Sequence, residues 1–364
     1  MKYYSLLLCF LLLFSCGVGK NRSLNELTIA PVIIEQEDQV AADRLDLLKD
    51  IGFNSVLFIG TKPSMWEELA VQAQGRDMYA LFMIDVSDVA LIKDFILENG
   101  TAAKIDGIWL RQGEVFSKKD LNELQNTLQK MKKSISDRHV LGQLFVQSST
   151  GDMMSLLKNG KLLRGVVYFD HSAAGLLGLA TQMGTEENPA TGIGADIAKM
   201  YNWRNFYTKS SDLIVPLANN FSYAFAQAKI FPLITAVMAS VSGPLYFPVA
   251  LSATDRFFYQ QDISLIKQYL ELRKAHPSLY EGRHSNLSYS SAVYTDMKES
   301  KSERIILVCN FNAQALQYRL PYLDKFRLKG KKIRSLITGQ STLLKSNDLS
   351  FSLAPYQVDF WLIE

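Results

Sequence analysis

The stretch QAKIFPLITAVMASVSGPLYFP, residues 227–248, followed by SLIKQYLELRKAH, residues 264–276, sets the architecture. Its first part lies in a long, nearly all-apolar segment with Pro232 inside it, the pattern of a helix buried on most sides. PLYFPVAL (244–251) is a short apolar run rich in β-formers, and residues 264–276 return to helical spacing. Helix, strand and helix in succession imply a parallel sheet, because parallel neighbours need a crossover connection.

The same alternation extends back to residue 28. Apolar β-rich runs occur at TIAPVII (28–34), SVLFIG (55–60), YALFMIDV (79–86), DGIWLR (106–111), VLGQLFVQ (140–147), RGVVYFD (164–170) and DLIVPLA (212–218). With residues 244–251 that makes eight. Between them, VAADRLDLLKDIG (40–52) is predicted to be a helix with Ala42, Leu45, Leu47 and Leu48 on one face, ended by Gly52. SKKDLNELQNTLQKMKK (117–133) spaces Leu121, Leu124, Leu128 and Met131 at helical intervals behind Ser117 as N-cap. Eight strand–helix units in about 250 residues fit a closed (β/α)8 TIM barrel. An open doubly wound sheet is the alternative, but no Gly-x-Gly-x-x-Gly follows the first strand, and TGIGAD (191–196) follows a loop.

From about residue 285 the helices stop. LSYSSAVYTD, RIILVCNFN, ALQYRLPYL, KIRSLITG, LSFSLAP and YQVDFWLIE read as successive strands, so a C-terminal all-β sandwich is expected. The expected domains are a targeting segment at 1–20, a barrel at 27–283 and the sandwich at 284–364. A chain of 364 residues that is 48% apolar is large enough for both cores.

Net charge is only +3, and no basic stripe interleaves with aromatics, so nucleic acid is excluded as a partner class. The basic run KFRLKGKKIR (325–334) is read as a solvated loop and strand edge. Lys2 precedes an apolar run from Tyr3 to Cys16, the pattern of a secretory signal and short for a membrane span. Leu13-Phe14-Ser15-Cys16 resembles a bacterial lipobox, which makes Cys16 the expected lipidated residue. Cleavage after Gly17–Gly19 and retention as an anchor are the other readings. An extracytoplasmic protein, secreted or held to a membrane through its N-terminal segment, is expected. Cys309 is the one cysteine in the body of the chain and lies in an apolar strand, so it is expected to be buried and inert. The histidines show no metal-ligand spacing, and no cofactor or metal is expected.

Residues 226–280 resemble the seventh helix, eighth strand and last helix of the α-amylase family (family 13 glycoside hydrolases), most sharply in LRKAHPSL (272–279). RLDLLKDIGFNSVLF (44–58) resembles the opening of that barrel, and ILVCNFN (306–312) and LAPYQVDFWL (353–362) resemble strands of its C-terminal sandwich. The family carries a long insertion after strand three. Here only residues 86–105 separate Asp85 from Asp106, so that subdomain is expected to be absent.

The resemblance also implies where catalytic groups should stand. Retaining hydrolysis needs two carboxyl groups about 5–5.5 Å apart, one nucleophile and one acid. In a barrel they sit at the C-terminal ends of strands. Aligned on Asp106-Gly107, Trp109 occupies the family's Arg position and Arg111 the nucleophile's. Gln143, after Gly142, occupies the acid's, and Phe221, after Asn219 and Asn220, replaces the third carboxylate. A guanidinium is no nucleophile and an amide has no acidic proton at physiological pH. Asp85 is kept at strand three, with Val89 and Ala90 in place of the Asn and His that follow it in the family.

Asp85, Glu114 and Asp170 are candidate substitute carboxylates. Their alternative roles are a structural partner near Arg111, a loop charge, and a cap or loop hydrogen bond. Trp109, Trp203, Asn219 and Asn220 are candidate sugar contacts, with core packing the competing role for the aromatics. Three functions follow. One is a catalytically inactive partner subunit of a membrane protein, because DGIWLR and residues 140–163 resemble the heavy chains of heteromeric amino-acid transporters. The second is a secreted or lipid-anchored protein that binds α-glucan. The third is an α-glucoside hydrolase with relocated carboxylates.

Overall fold

The computed structural model describes residues 24–34, 41–85, 105–111, 143–147, 166–169, 213–216, 231–247, 260–289, 293–320 and 323–364. Eight parallel strands close into a barrel in chain order. They are β1 (Thr28–Ile33), β2 (Ser55–Ile59), β3 (Tyr79–Asp85), β4 (Gly107–Arg111), β5 (Gln143–Gln147), β6 (Val166–Phe169), β7 (Leu213–Pro216) and β8 (Leu245–Tyr246). Closure is made where β8 pairs both with β7 and with β1, Tyr246 lying opposite Pro216 and Ile29. Each strand lies within a run read from the sequence.

Period-two alternation fills the barrel. Leu27 and Ile29 from the β1 segment, Leu57 from β2, Leu81 from β3, Trp109 from β4 and Tyr246 from β8 form one buried cluster. Around the wall, α1 (Ala41–Ile51) and α2 (Trp66–Gln74) follow β1 and β2, and α3 (Phe231–Ala239) and α4 (Gln260–Ala275) flank β8. Helix α1 ends as expected. Gly52 has φ +109°, its N–H reaches the Lys49 carbonyl, and the Phe53 N–H reaches that of Leu48. One detail differs. Leu45 and Leu48 are buried but Leu47 is 40% exposed, because two residues on from Leu45 is about 200° around a helix. In α3, Pro232 stands in the first described turn.

Arg273 on α4 explains why the LRKAHPSL segment is so specific. Its side chain is buried and donates to the carbonyls of Ala239, Val241, Gly243, Leu279 and Asn25. One guanidinium thus joins the end of α3, the turn into β8, the short helix α5 (Ser278–Glu281) and the chain entering β1.

The β domain begins at Arg283. LSYSSAVYTD, expected as one strand, belongs instead to two antiparallel strands, β9 (Arg283–Tyr289) and β10 (Val293–Glu299). The others are β11 (Arg304–Asn310), β12 (Leu316–Leu320), β13 (Lys332–Ser335), β14 (Ser341–Leu343), β15 (Leu349–Leu353) and β16 (Val358–Ile363). They form a six-stranded sheet, β14-β13-β16-β11-β10-β9, and a two-stranded sheet, β12-β15. Both sheets contribute to one apolar core that includes Met297, Ile306, Val308, Leu320, Ile333 and Phe351, which makes the domain a sandwich. Cys309 is buried and free, as expected.

The other face of the large sheet meets the barrel helices, with Tyr269 of α4 against Phe360 of β16 at 6.0 Å. No helix among the described residues is long and apolar enough to cross a membrane.

Candidate functional site

In a parallel barrel the C-terminal strand ends share one mouth, so strand register decides which residues stand side by side there. Asp85, the last residue of β3, is the register partner of Arg111, the last residue of β4. Arg111 is in turn the partner of Gln147, the last residue of β5. Adjacent strands run about 4.8 Å apart, so positions 85, 111 and 147 form a row along the mouth. Asp85 shares the strand face of Tyr79, Leu81 and Met83, which pack into or against the interior cluster. It is half-buried and engaged with its surroundings.

This register corrects one expectation. Gln143 pairs with Gly107, at the start of β4 and β5, not with Arg111. Four residues of strand put it about 13 Å from the mouth. The residue level with Arg111 on β5 is Gln147, which the Gly-Gln motif did not reveal. Its signal was the β5 run itself, VLGQLFVQ, whose far end lies level with Arg111. Glutamine stands at either position, so the group there is an amide in both alignments.

Trp109 is also corrected as a sugar contact. It is 0% exposed inside the barrel, with its ring centroid 5.0 Å from that of Tyr246. Packing is therefore its role. Phe221, Asn219 and Asn220 lie beyond Pro216 at the end of β7 and outside the described residues, as do Cys16, Glu114, Asp170 and Trp203.

The other carboxylate of DGIWLR, Asp106, serves the opposite end of the barrel. It is buried, accepts the Ala80 N–H at 2.8 Å and receives the Gln74 amide at 3.4 Å. Burial pushes its carboxyl up to about 6 against the pull of those two donors. It holds the entry of β3 to that of β4 and is remote from the mouth.

A second polar group lies outside the barrel and was not anticipated. On the barrel-facing side of β9 and β10, the Asp296 carboxylate meets His284 Nδ1 at 2.9 Å, Lys298 Nζ at 3.6 Å and the Tyr294 hydroxyl at 3.0 Å. His284 also meets Asn286 through Nε2 at 2.8 Å. Asp296 and Lys298 are 0% exposed. Burial, then the Lys298 charge, lowers the His284 pKa. Burial works to raise that of Asp296, but Lys298 and His284 overcome it and hold the carboxylate below its usual range. Alternation gives the signal: Val293, Thr295 and Met297 point one way and Tyr294, Asp296 and Lys298 the other. Among the described residues no His, Cys, Asp and Glu cluster is suited to a metal.

No family model matches the chain, and no curated protein matches it. Solved structures do. AmyP in complex with maltose is similar at a TM-score of 0.74 and 14% identity, over 96% of this chain and 98% of that one. The Geobacillus thermoleovorans α-amylase complexed with acarbose gives 0.72 and 12%, over 94% and 99%. The maltogenic α-amylase AmyB from Thermotoga neapolitana gives 0.71 and 10%, over 94% and 99%. The chain has the α-amylase fold.

Within the amylase fold the match spans both domains, so barrel and β domain belong to one architecture. At the mouth of this amylase-fold barrel, the ends of β3, β4 and β5 place Asp85, Arg111 and Gln147 in one row: one acidic residue, one basic residue and one amide.

Proposed function

We propose that the protein engages α-glucan chains at the C-terminal mouth of its barrel without the carboxylate pair of ordinary retaining hydrolysis. Carrying this reading is the amylase fold over nearly the whole chain, shared with amylases bound to maltose and to acarbose. Against ordinary turnover stand the residues on β4 and β5. Arg111 cannot attack an anomeric carbon, and Gln147 cannot protonate a leaving oxygen. The localisation proposed with it is extracytoplasmic, with the chain held by a lipid on Cys16.

A second reading is hydrolysis of α-glucosides by relocated carboxylates. It is favoured by Asp85, a carboxyl group at the mouth and level with the nucleophile position, and by the α-amylases among the similar structures. Glu114 and Asp170 are its other candidates. The partner-subunit role rests on the resemblance of residues 106–111 and 140–163 alone.

Calorimetric titration of the purified protein with maltooligosaccharides, beside an assay for sugar released from them and from aryl α-glucosides, separates these readings. Binding without release is expected. Release abolished by Asp85→Asn would establish the second reading. Neither binding nor release would remove α-glucan as the ligand class.

A further inference from the structure

One feature of the sequence finds no use in the barrel: the basic run of residues 325–334. The structure folds it around the outer edge of the six-stranded sheet. Arg327, in the left-handed region at φ 52°, ends a short 3-10 turn, and Lys329 and Lys331 flank Gly330. Lys345 is brought beside them by the β13–β14 pairing, where the Gly330 N–H reaches the Leu344 carbonyl and the Leu344 N–H that of Lys331. All four cations are exposed. They make no ion pair among the described residues, whereas Lys332 and Arg334 pair with Glu364, and Arg319 with Asp348. Asp324 is the nearby acid, and it receives the Asn347 amide. Leu343 on edge strand β14 is 61% exposed, opposite Lys332 in register and two residues before Lys345. An exposed aliphatic side chain two residues from unpaired Lys345, on the same sheet edge as Lys331, suits a lipid interface better than water alone.

The placement of this patch follows from a continuous series of contacts. Asn25, where the chain enters the barrel, is held by Arg273, which also reaches Leu279 of α5. The Ser278 N–H of α5 donates to Glu303 in the β10–β11 turn. Arg304, next to it, donates to the carbonyl of Phe326, which precedes Arg327. These hydrogen bonds link the N-terminal entry of the barrel to the turn that precedes Arg327. Seven residues lie between Cys16 and Leu24, and their eight Cα steps can span at most about 28 Å.

We propose that Arg327, Lys329, Lys331 and Lys345, around Leu343, seat the β domain on the anionic headgroups of the bilayer to which the N-terminal segment holds the chain. A lipid on Cys16 would tether the chain but leave its orientation free, and a polybasic patch adds salt-sensitive attraction to anionic headgroups. The patch fixes the orientation of the barrel above the lipid. This inference rests on the extracytoplasmic, anchored reading.

The test compares the full chain with Lys329→Glu/Lys331→Glu/Lys345→Glu on phosphatidylcholine vesicles with and without phosphatidylglycerol. The expected result is a fall in partitioning of about tenfold or more on the anionic vesicles, suppressed by salt, and no change on the neutral ones. Equal partitioning of both proteins on anionic vesicles would overturn the proposal, as would an equal fall on neutral ones. The corresponding Lys→Gln variant, with its thermal midpoint measured beside the parent's, guards against misfolding and is expected to show a smaller fall of the same kind. Cys16→Ser addresses the anchor separately. It is expected to lose binding to neutral vesicles while keeping the charge-dependent difference. Retained neutral binding would sink the lipid on Cys16 and leave the patch standing.

Discussion

Asp85 and Arg111 close adjacent barrel strands as direct register partners, so an acidic and a basic residue stand at the same level of the mouth. The next strand continues the row with Gln147.

The register gives a test of where the acid position lies. Arg111→Asp alone is expected to yield no aryl α-glucoside hydrolysis, because no acid faces it on β5. Combined with Gln147→Glu, it places two carboxyl groups on neighbouring strands at one level. Any gain in release is expected in that pair and not in Arg111→Asp/Gln143→Glu, since position 143 is about 13 Å down the strand. Activity in the Gln143→Glu pair alone would mean that the β5 register is different.

Trp109 is a core residue, and its truncation should act on stability. Trp109→Ala is expected to cost about 3–5 kcal/mol in denaturant unfolding. Trp109→Phe, which keeps most of the ring against Tyr246, should cost less and leave maltooligosaccharide affinity within twofold. A large loss of affinity in a well-folded Trp109→Phe protein would restore its role as a sugar contact.

The Asp296–Lys298 pair predicts a strongly non-additive cycle. Asp296→Asn leaves the Lys298 ammonium buried beside an amide and is expected to cost about 3–5 kcal/mol. Asp296→Leu/Lys298→Met removes both charges and should cost less than either single change. Additive costs in chemical unfolding would show that the two groups do not interact. Acid acts on the same cluster. Both His284 and Asp296 have depressed folded pKa values, so each contributes stability that is full above its unfolded value, near 6.5 and 3.8, and is lost as pH falls.

Asp106 has the opposite sign. Its folded pKa is raised to about 6 from 3.8, so the native state binds the proton more tightly and its stability falls as pH climbs through that interval. Asp106→Asn abolishes this and keeps an oxygen for the Ala80 N–H. Relative to the parent, the variant is expected to gain about 2 kcal/mol between pH 4 and pH 7. A difference that does not change with pH would mean that the carboxyl is not desolvated.

What the sequence alone determined is local. Eight apolar runs separated by helical spacing identified eight barrel strands, Gly52 marked the end of α1, and the loss of helical pattern near residue 285 marked the β domain. Periodicity and turn chemistry act over a few residues and survive without knowledge of neighbours. That DGIWLR ends on a guanidinium at Arg111 was equally visible, since residue type needs no geometry.

Only the tertiary structure decided which residues meet. Gln147, not Gln143, is level with Arg111, because register is fixed by pairing between strands more than thirty residues apart in the chain. Trp109 turned inward because alternation assigns it to the interior face that Leu57, Leu81 and Tyr246 share. The Asp296–Lys298–His284 cluster arose because β9 and β10 pair and because the barrel helices cover that face of the sheet. Burial, register and the charge around a group are properties of the assembled chain, and no local pattern encodes them.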